Sequence, residues 1–179
     1  MTGGRPTNPP IITWLVGPPG AGKSTFAAEQ QRQGRRMVEL NAMLGPLVNP
    51  VRMRQGILTA NGTLISLIRQ LERHPANTSR PPLLVVAGLV PEEALFPLGE
   101  DEEVLLLLPE RTRWQQQLER RPVGGGSTRQ YDDMPYSAYW YERFSRWESQ
   151  GFPVTRLCLD FQPELLGKVL IPEAYEGAV

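Results

Sequence analysis

A nine-residue segment near the amino terminus has the residue types and the spacing needed to bind phosphate groups. Residues 17–25 read GPPGAGKST, which fits the pattern G-x-x-x-x-G-K-[ST] at every required position. Glycines let the backbone turn tightly, so that successive N–H groups converge on phosphate oxygens. Lys23 is expected to reach the β- and γ-phosphates, and the Ser24 hydroxyl is expected to ligate Mg²⁺. The residues predicted to bind a nucleoside triphosphate are Gly17, Gly20, Ala21, Gly22, Lys23, Ser24 and Thr25.

The segments on either side of this loop strengthen the interpretation. An apolar run at 11–16 predicts a buried strand before the loop, and residues 24–33 predict a helix after it. Such a helix directs the positive end of its dipole at the same phosphates. A strand before and a helix after the motif favour phosphate binding over a purely structural turn.

The rest of the chain predicts an alternation of strands and helices. Further strands are predicted at 37–40, 83–87, 104–108 and 154–159, and helices at 51–72, 110–121 and 136–150. Five strands that alternate with helices imply an α/β fold, in which a mostly parallel, doubly wound sheet carries helices on both faces. The glycines at 124–126 suggest that residues of about 110–135 form a movable lid.

Length and composition are those of one globular domain. The chain has 179 residues, so we expect a flexible leader at 1–10 and a single domain at 11–179. Because no apolar stretch approaches the length needed to span a membrane, a cytoplasmic protein without a membrane partner is expected. The single cysteine, Cys158, lies in an apolar strand pattern and is expected to be a buried spectator.

The charges are unevenly distributed although the net charge is zero. Residues 30–82 hold eight arginines against two glutamates, a segment charge of +6, whereas residues 92–103 hold six acidic residues and no basic one. A basic acceptor side would imply an anionic substrate such as a nucleotide, a phosphorylated metabolite or a nucleic-acid backbone.

The chain resembles the P-loop kinase superfamily of the P-loop NTPases in its phosphate loop, its short length and one further pattern. That further pattern is the fourth strand, which runs into Pro109-Glu110 and a helix ending at Arg120-Arg121. The chain is most similar to the polynucleotide-kinase-like and zeta-toxin-like small kinases, which include a phage type acting on hydroxymethyl bases of DNA. The resemblance implies transfer of the γ-phosphate of ATP to a hydroxyl under an arginine-bearing lid. Arg120 and Arg121 are then the expected lid arginines, with Arg113 as a third candidate.

The resemblance also identifies two missing acidic residues. The third strand, Leu83 to Ala87, ends without the acid that often supports Mg²⁺. Related kinases usually carry an aspartate just beyond the second strand, where it accepts the proton of the attacking hydroxyl. Here Glu39 is the best substitute, unless the strand is an edge strand whose glutamate faces water. Asp132 and Asp133 are alternative bases, and Asn41 is a candidate for orienting the acceptor.

The acceptor is expected to bind between the second strand and the helix that follows it. Arg52 and Arg54 lie early in that helix, and Tyr139 and Arg143 are expected to be surface contacts on a later one. Other aromatic residues of that later helix recur at helical spacing and predict a core stripe: Tyr136, Trp140, Phe144 and Trp147.

Three functions follow from these residues. The first is a kinase acting on a nucleic acid or nucleotide, at a 5′-hydroxyl or at a 5-hydroxymethyl-pyrimidine base in DNA. The second is a kinase for a small metabolite such as an antibiotic or a sugar. The third is a nucleotide-binding regulatory module with little phosphotransfer, which the missing aspartates would fit. The sequence does not predict the oligomeric state.

Overall fold

The computed structural model describes residues 9–43, 54–119 and 134–157. Its strands are β1 (Ile12–Val16), β2 (Arg36–Glu39), β3 (Leu83–Ala87), β4 (Glu102–Leu107) and β5 (Thr155–Leu157). Its helices are α1 (Lys23–Arg32), α2 (Leu40–Met43), α3 (Arg54–Glu72), α4 (Glu92–Leu95), α5 (Arg111–Glu119) and α6 (Met134–Ser145), with a 3₁₀ turn at Pro75–Asn77.

The five strands form one sheet in the order β2-β3-β1-β4-β5, and all four pairs are parallel. β1 therefore lies at the centre and pairs with β3 on one side and β4 on the other. In a parallel sheet all carboxyl ends meet at one edge, which is where open α/β sheets bind their ligands. The loop after β1 consequently opens at the middle of this carboxyl edge. The predicted fold class is confirmed.

Helices cover both faces of the sheet, as continuous apolar strands require. On one face Phe26 and Ala27 of α1 pack against alternate residues of the strands, such as Leu15 and Val86. The opposite face is covered by α3, α5 and α6, whose buried residues include Ile65, Trp114 and Phe144. The predicted aromatic stripe on α6 is confirmed for its three described side chains, Trp140, Phe144 and Trp147.

A buried charge cluster closes the opposite, amino edge of the sheet. The Glu102 side chain is fully buried and accepts hydrogen bonds from the Trp14 indole at 2.8 Å and from Arg69 at 2.9 Å. Arg73 also pairs with Glu102 and bonds Asp101 at 2.6 Å. Burial alone would raise the pKa of Glu102, but the bonds from Arg69, Trp14 and Arg73 outweigh it and hold that pKa below its usual range. Arg69 also donates to two carbonyls of α4, so the cluster ties α3, α4 and the sheet together.

Some predicted elements differ in detail from the structure. The short helix α4 was not predicted, because its acidic segment has too few apolar residues to show helical spacing. The helix predicted to end near residue 150 ends at Ser145 and continues as turns. The described part of α3 runs unbroken through Gly56 and Gly62, although glycine disfavours a helix interior.

Several sequence-based predictions lie outside the described residues. They concern the leader, Arg52, Arg120, Arg121, Asp132, Asp133 and Cys158, and also the side chains of Asn41, Arg54 and Tyr136. Within the described ranges, no helix is long and apolar enough to cross a membrane.

Candidate functional site

The phosphate loop runs from the end of β1 to the start of α1, and its glycines are required by its shape. A Cβ on Gly17 would lie 2.3 Å from the carbonyl oxygen of Leu107, the last residue of β4. Gly20 and Gly22 have φ angles of 78° and 95°, in the left-handed region that other residues rarely adopt. The motif glycines therefore allow a backbone path that side chains would block.

The amino terminus of α1 opens at the carboxyl edge of the sheet. The helix begins at Lys23, so the N–H groups of its first turn have no acceptor within the helix. Together with the helix dipole they form an anion-binding end. Ser24 and Thr25 are exposed there, whereas Ala21 is fully buried in the core under α1. Ala21 can therefore offer a ligand only its backbone, and Ser24 can offer its hydroxyl to a metal ion.

Lys23 lies folded over the loop. Its ammonium Nζ donates to the carbonyl oxygens of Gly17 and Pro18, both at 2.8 Å. These are the two residues that open the motif, so the positive charge is held directly at the mouth of the loop. A phosphate entering the loop would meet this charge together with the amino end of α1.

Helix α5 supports the loop from inside the protein, which the sequence did not predict. The indole N–H of Trp114 donates to the carbonyl oxygen of Pro19 at 2.6 Å. Leu118, one turn later, packs so closely that a Cβ on Gly20 would lie 2.5 Å from its Cδ2 atom. The four-residue spacing of Trp114 and Leu118 is typical of one inward helix face, and nothing in that spacing identifies the loop as their partner.

Glu39 lies at the carboxyl edge, as a catalytic base would require. It is the last residue of β2 and stands in register with Val86, which is itself level with Leu15 just before the loop. β2 is two strands away from β1, a lateral distance of about 10 Å. β2 is also an edge strand and Glu39 is half-buried, so the alternative interpretation of a glutamate facing water is still open.

Tyr139 and Arg143 of α6, both predicted as substrate contacts, have different environments. Tyr139 is 56% exposed, in line with a surface position. Arg143 instead donates from Nε to Glu92 at 2.7 Å and from Nη1 to the Tyr139 hydroxyl at 3.0 Å. Its guanidinium also lies over the Trp140 ring, and its pKa is raised chiefly by the bond to Glu92. Arg143 is therefore held by a structural partner on α4, and its predicted contact with a substrate stays a prediction.

The basic segment at 30–82 does not build a basic acceptor surface from its described arginines. Arg36, at the start of β2, pairs with Glu72 at 2.9 Å, and Arg69 and Arg73 belong to the charge cluster at the amino edge. That edge is separated from the loop by the length of β4, six residues or about 20 Å. Arg69 and Arg73 are thus balanced by acids of another segment, and Arg52 and Arg54 are the arginines that the sequence predicts near the acceptor.

Asn61 of α3 is a polar side chain near the carboxyl edge that the sequence analysis missed. It is fully buried, and its amide Nδ2 donates at 2.7 Å to the carbonyl of Leu89, two residues beyond β3. This bond fixes the orientation of the amide, and its Oδ1 has no hydrogen-bond partner among the residues that the structure describes. A buried acceptor without a donor costs about 1–3 kcal/mol, so this oxygen calls for a hydroxyl or N–H donor from outside the described residues.

Structural comparison places the fold among small kinases. A sugar kinase from Janibacter sp. HTCC2649 is 17% identical, with 88% of this chain and 90% of that chain covered at a TM-score of 0.58. Deoxyadenosine kinase from M. mycoides with bound dATP is 14% identical, with 87% of this chain and 95% of that chain covered at a TM-score of 0.55. Shikimate kinase from Acinetobacter baumannii is 18% identical, with 92% of each chain covered at 0.53. No protein-family model and no curated protein sequence matches the chain. The chain therefore has the fold of the P-loop kinases.

Proposed function

We propose that the protein is a kinase that transfers the γ-phosphate of ATP to an alcohol group of a small acceptor. The observation that carries this proposal is the phosphate loop, with Lys23 at its mouth and the first turn of α1 beside it. Kinases acting on alcohols share the same fold, which raises the expectation without identifying the substrate. An ATP-dependent enzyme of this kind would work in the cytoplasm, where ATP is available.

In the proposed reaction the acceptor oxygen attacks the γ-phosphorus, ADP leaves, and the hydroxyl proton passes to a base. Lys23 would stabilise the charge on the β- and γ-phosphates, and Glu39 would take the proton. Arg120 and Arg121 would complete the charge stabilisation from the lid. Ser24 is exposed at the helix terminus and fits Mg²⁺ as a hydroxyl ligand, and the metal would neutralise phosphate charge. The remaining ligands would be phosphate oxygens and water, because Ala87 ends β3 without an acid.

The acceptor that these features favour is an uncharged, hydroxyl-rich molecule such as a sugar or a nucleoside. Arg36, Arg69 and Arg73 of the basic segment are paired with acids away from the loop, so they offer no charge to an anionic acceptor. A second candidate is a nucleic acid or nucleotide, phosphorylated at a 5′-hydroxyl or at a 5-hydroxymethyl-pyrimidine base. The exposed Tyr139, with Arg52 and Arg54 in the sequence, supports that candidate through base stacking and phosphate contacts.

The test is transfer of labelled γ-phosphate from ATP to a panel of acceptors. The panel holds sugars and aminoglycoside-type polyols, nucleosides, 5′-hydroxyl oligonucleotides and duplex DNA containing 5-hydroxymethyluracil. We expect label on a sugar or nucleoside, with a rate that hardly changes with salt. Label on DNA that decreases with salt would instead support the second candidate.

Two lysine variants provide the matched controls, because Lys23 and Lys168 are the only lysines of the chain. Lys23→Ala should abolish transfer, with a loss of at least about 100-fold, whereas Lys168→Ala should retain it. ATP binding without transfer to any acceptor would contradict the kinase proposal and favour a regulatory module.

A further inference from the structure

The contact between α5 and the phosphate loop fixes the direction of one peptide group. The Trp114 side chain is fully buried, so the Pro19 carbonyl that accepts its indole N–H points into the protein. The Pro19–Gly20 peptide is trans, and in a planar trans peptide the C=O and the following N–H point in opposite directions. The N–H of Gly20 therefore points away from α5, towards the open side of the loop.

The indole is itself held in place. Its ring packs against the Tyr141 ring of α6 at an interplanar angle of 32° with centroids 4.5 Å apart, and the Tyr141 hydroxyl donates to the Pro109 carbonyl at 2.8 Å. Leu118 packs against the next loop residue, Gly20, and fills the space that a side chain there would need. The φ of 78° at Gly20 also disfavours any residue other than glycine. Two side chains on one face of α5 thus fix two consecutive loop residues.

We propose that Trp114 is a positioning residue for the phosphate loop, which holds the Pro19 carbonyl inward and so aims the Gly20 N–H at a bound phosphate. This inference rests on the proposed nucleotide binding at the loop and assigns no role in the chemistry to Trp114 itself. Without the indole donor, the peptide could flip and would present a carbonyl oxygen, which repels phosphate. Such a loop would bind nucleotide less tightly while the acceptor side stayed unchanged.

The matched pair of variants is Trp114→Phe and Trp147→Phe. Both residues are fully buried tryptophans that donate one indole hydrogen bond, but Trp147 donates to Glu92 at 2.8 Å, away from the loop. We expect Trp114→Phe to raise the Kd for ADP and ATP about five- to tenfold, the effect of one lost hydrogen bond with some gain in loop freedom. Trp147→Phe should leave both Kd values within about twofold, although it lowers the melting temperature comparably.

Calorimetric titration separates the failure of this inference from the failure of the proposed function. A wild-type protein that binds neither ADP nor ATP would contradict the proposed function. If the wild type binds and both variants bind equally well, nucleotide binding stands and the positioning role of Trp114 is wrong. With an acceptor known, Trp114→Phe should also raise the KM for ATP without raising the KM for the acceptor.

A milder variant keeps the inference testable if Trp114→Phe does not fold. Leu118 is only half-buried, so Leu118→Ala should fold while it removes the packing against Gly20. It should raise the Kd for ADP about two- to threefold, less than a lost hydrogen bond would. An unchanged Kd in Leu118→Ala would overturn the idea that α5 positions the loop.

Discussion

The two edges of the sheet use their polar groups in opposite ways. At the amino edge, Glu102 is saturated by Trp14, Arg69 and Arg73, and nothing of its charge is available to a ligand. At the carboxyl edge, Lys23 donates to the loop carbonyls of Gly17 and Pro18 at 2.8 Å, and the first N–H groups of α1 have no acceptor within the helix. A buried charge that is matched by opposite charges stabilises the fold. A cation that donates to neutral carbonyls can still pair with the phosphate of a ligand.

The largest expected effect concerns the carboxyl edge. Glu39→Gln removes the proposed base while keeping its size, so kcat should fall about 100- to 10,000-fold with little change in the KM for ATP. Steady-state kinetics with the acceptor found in the panel would measure this. Glu29→Gln is a matched control, since Glu29 is a glutamate of α1 that pairs with Arg32. If Glu39→Gln retains wild-type kcat, the base is a different residue.

The amino edge should respond in stability and not in nucleotide affinity. Glu102→Gln leaves Arg69 buried beside an uncharged partner, so the free energy of unfolding should fall by about 3 kcal/mol. Chemical denaturation would measure that loss, and titration with ADP should give an unchanged Kd. A raised Kd at full folding would show that the two edges are coupled.

The adjacent Glu103 offers the control for this prediction. It accepts a hydrogen bond from Thr13 at 2.8 Å, but burial raises its pKa, so its charged form is not favoured by folding. Glu103→Gln should therefore change the free energy of unfolding by no more than about 0.5 kcal/mol. The contrast separates a carboxylate paired with two arginines from one whose hydrogen bond comes from a neutral hydroxyl.

The smallest expected effect is that the stability difference between the wild type and Glu102→Gln depends on pH. Because the pKa of Glu102 is lowered in the folded protein, its charge contributes stability above the unfolded pKa of about 4.3. That contribution is lost as the pH falls through the lower, folded pKa. Urea unfolding of the wild type and Glu102→Gln should thus differ most at pH 7 and progressively less below about pH 4. A gap that stays constant with pH would mean that the mutation acts through packing.

The sequence predicted those elements well whose identifying residues lie close together in the chain. The bounds of β3 match the prediction at both ends, because a run of five apolar residues between a proline and a glycine is unambiguous. The phosphate loop was likewise readable, since its function depends on the spacing of glycines within nine residues.

Features that depend on long-range pairing could not be predicted in this way. Arg69 and Glu102 are 33 residues apart, and each was counted towards the net charge of its own segment. Those counts suggested a basic acceptor side, but an arginine of one segment can pair in the folded protein with an acid of another. The contact of Trp114 with Pro19 spans 95 residues and depends on β4 lying beside β1, which no local pattern reveals. The site's supporting residues were therefore harder to find than its motif.

The closeness of Gly17 to the last carbonyl of β4 limits how this chain can evolve. The space at that position is already occupied by the backbone of a neighbouring strand, and a backbone cannot be exchanged for a smaller residue as a side chain can. A second mutation therefore cannot compensate for a larger residue at position 17. The residues of the helices around this loop can change during evolution. The sheet itself requires glycine at position 17, independently of catalysis.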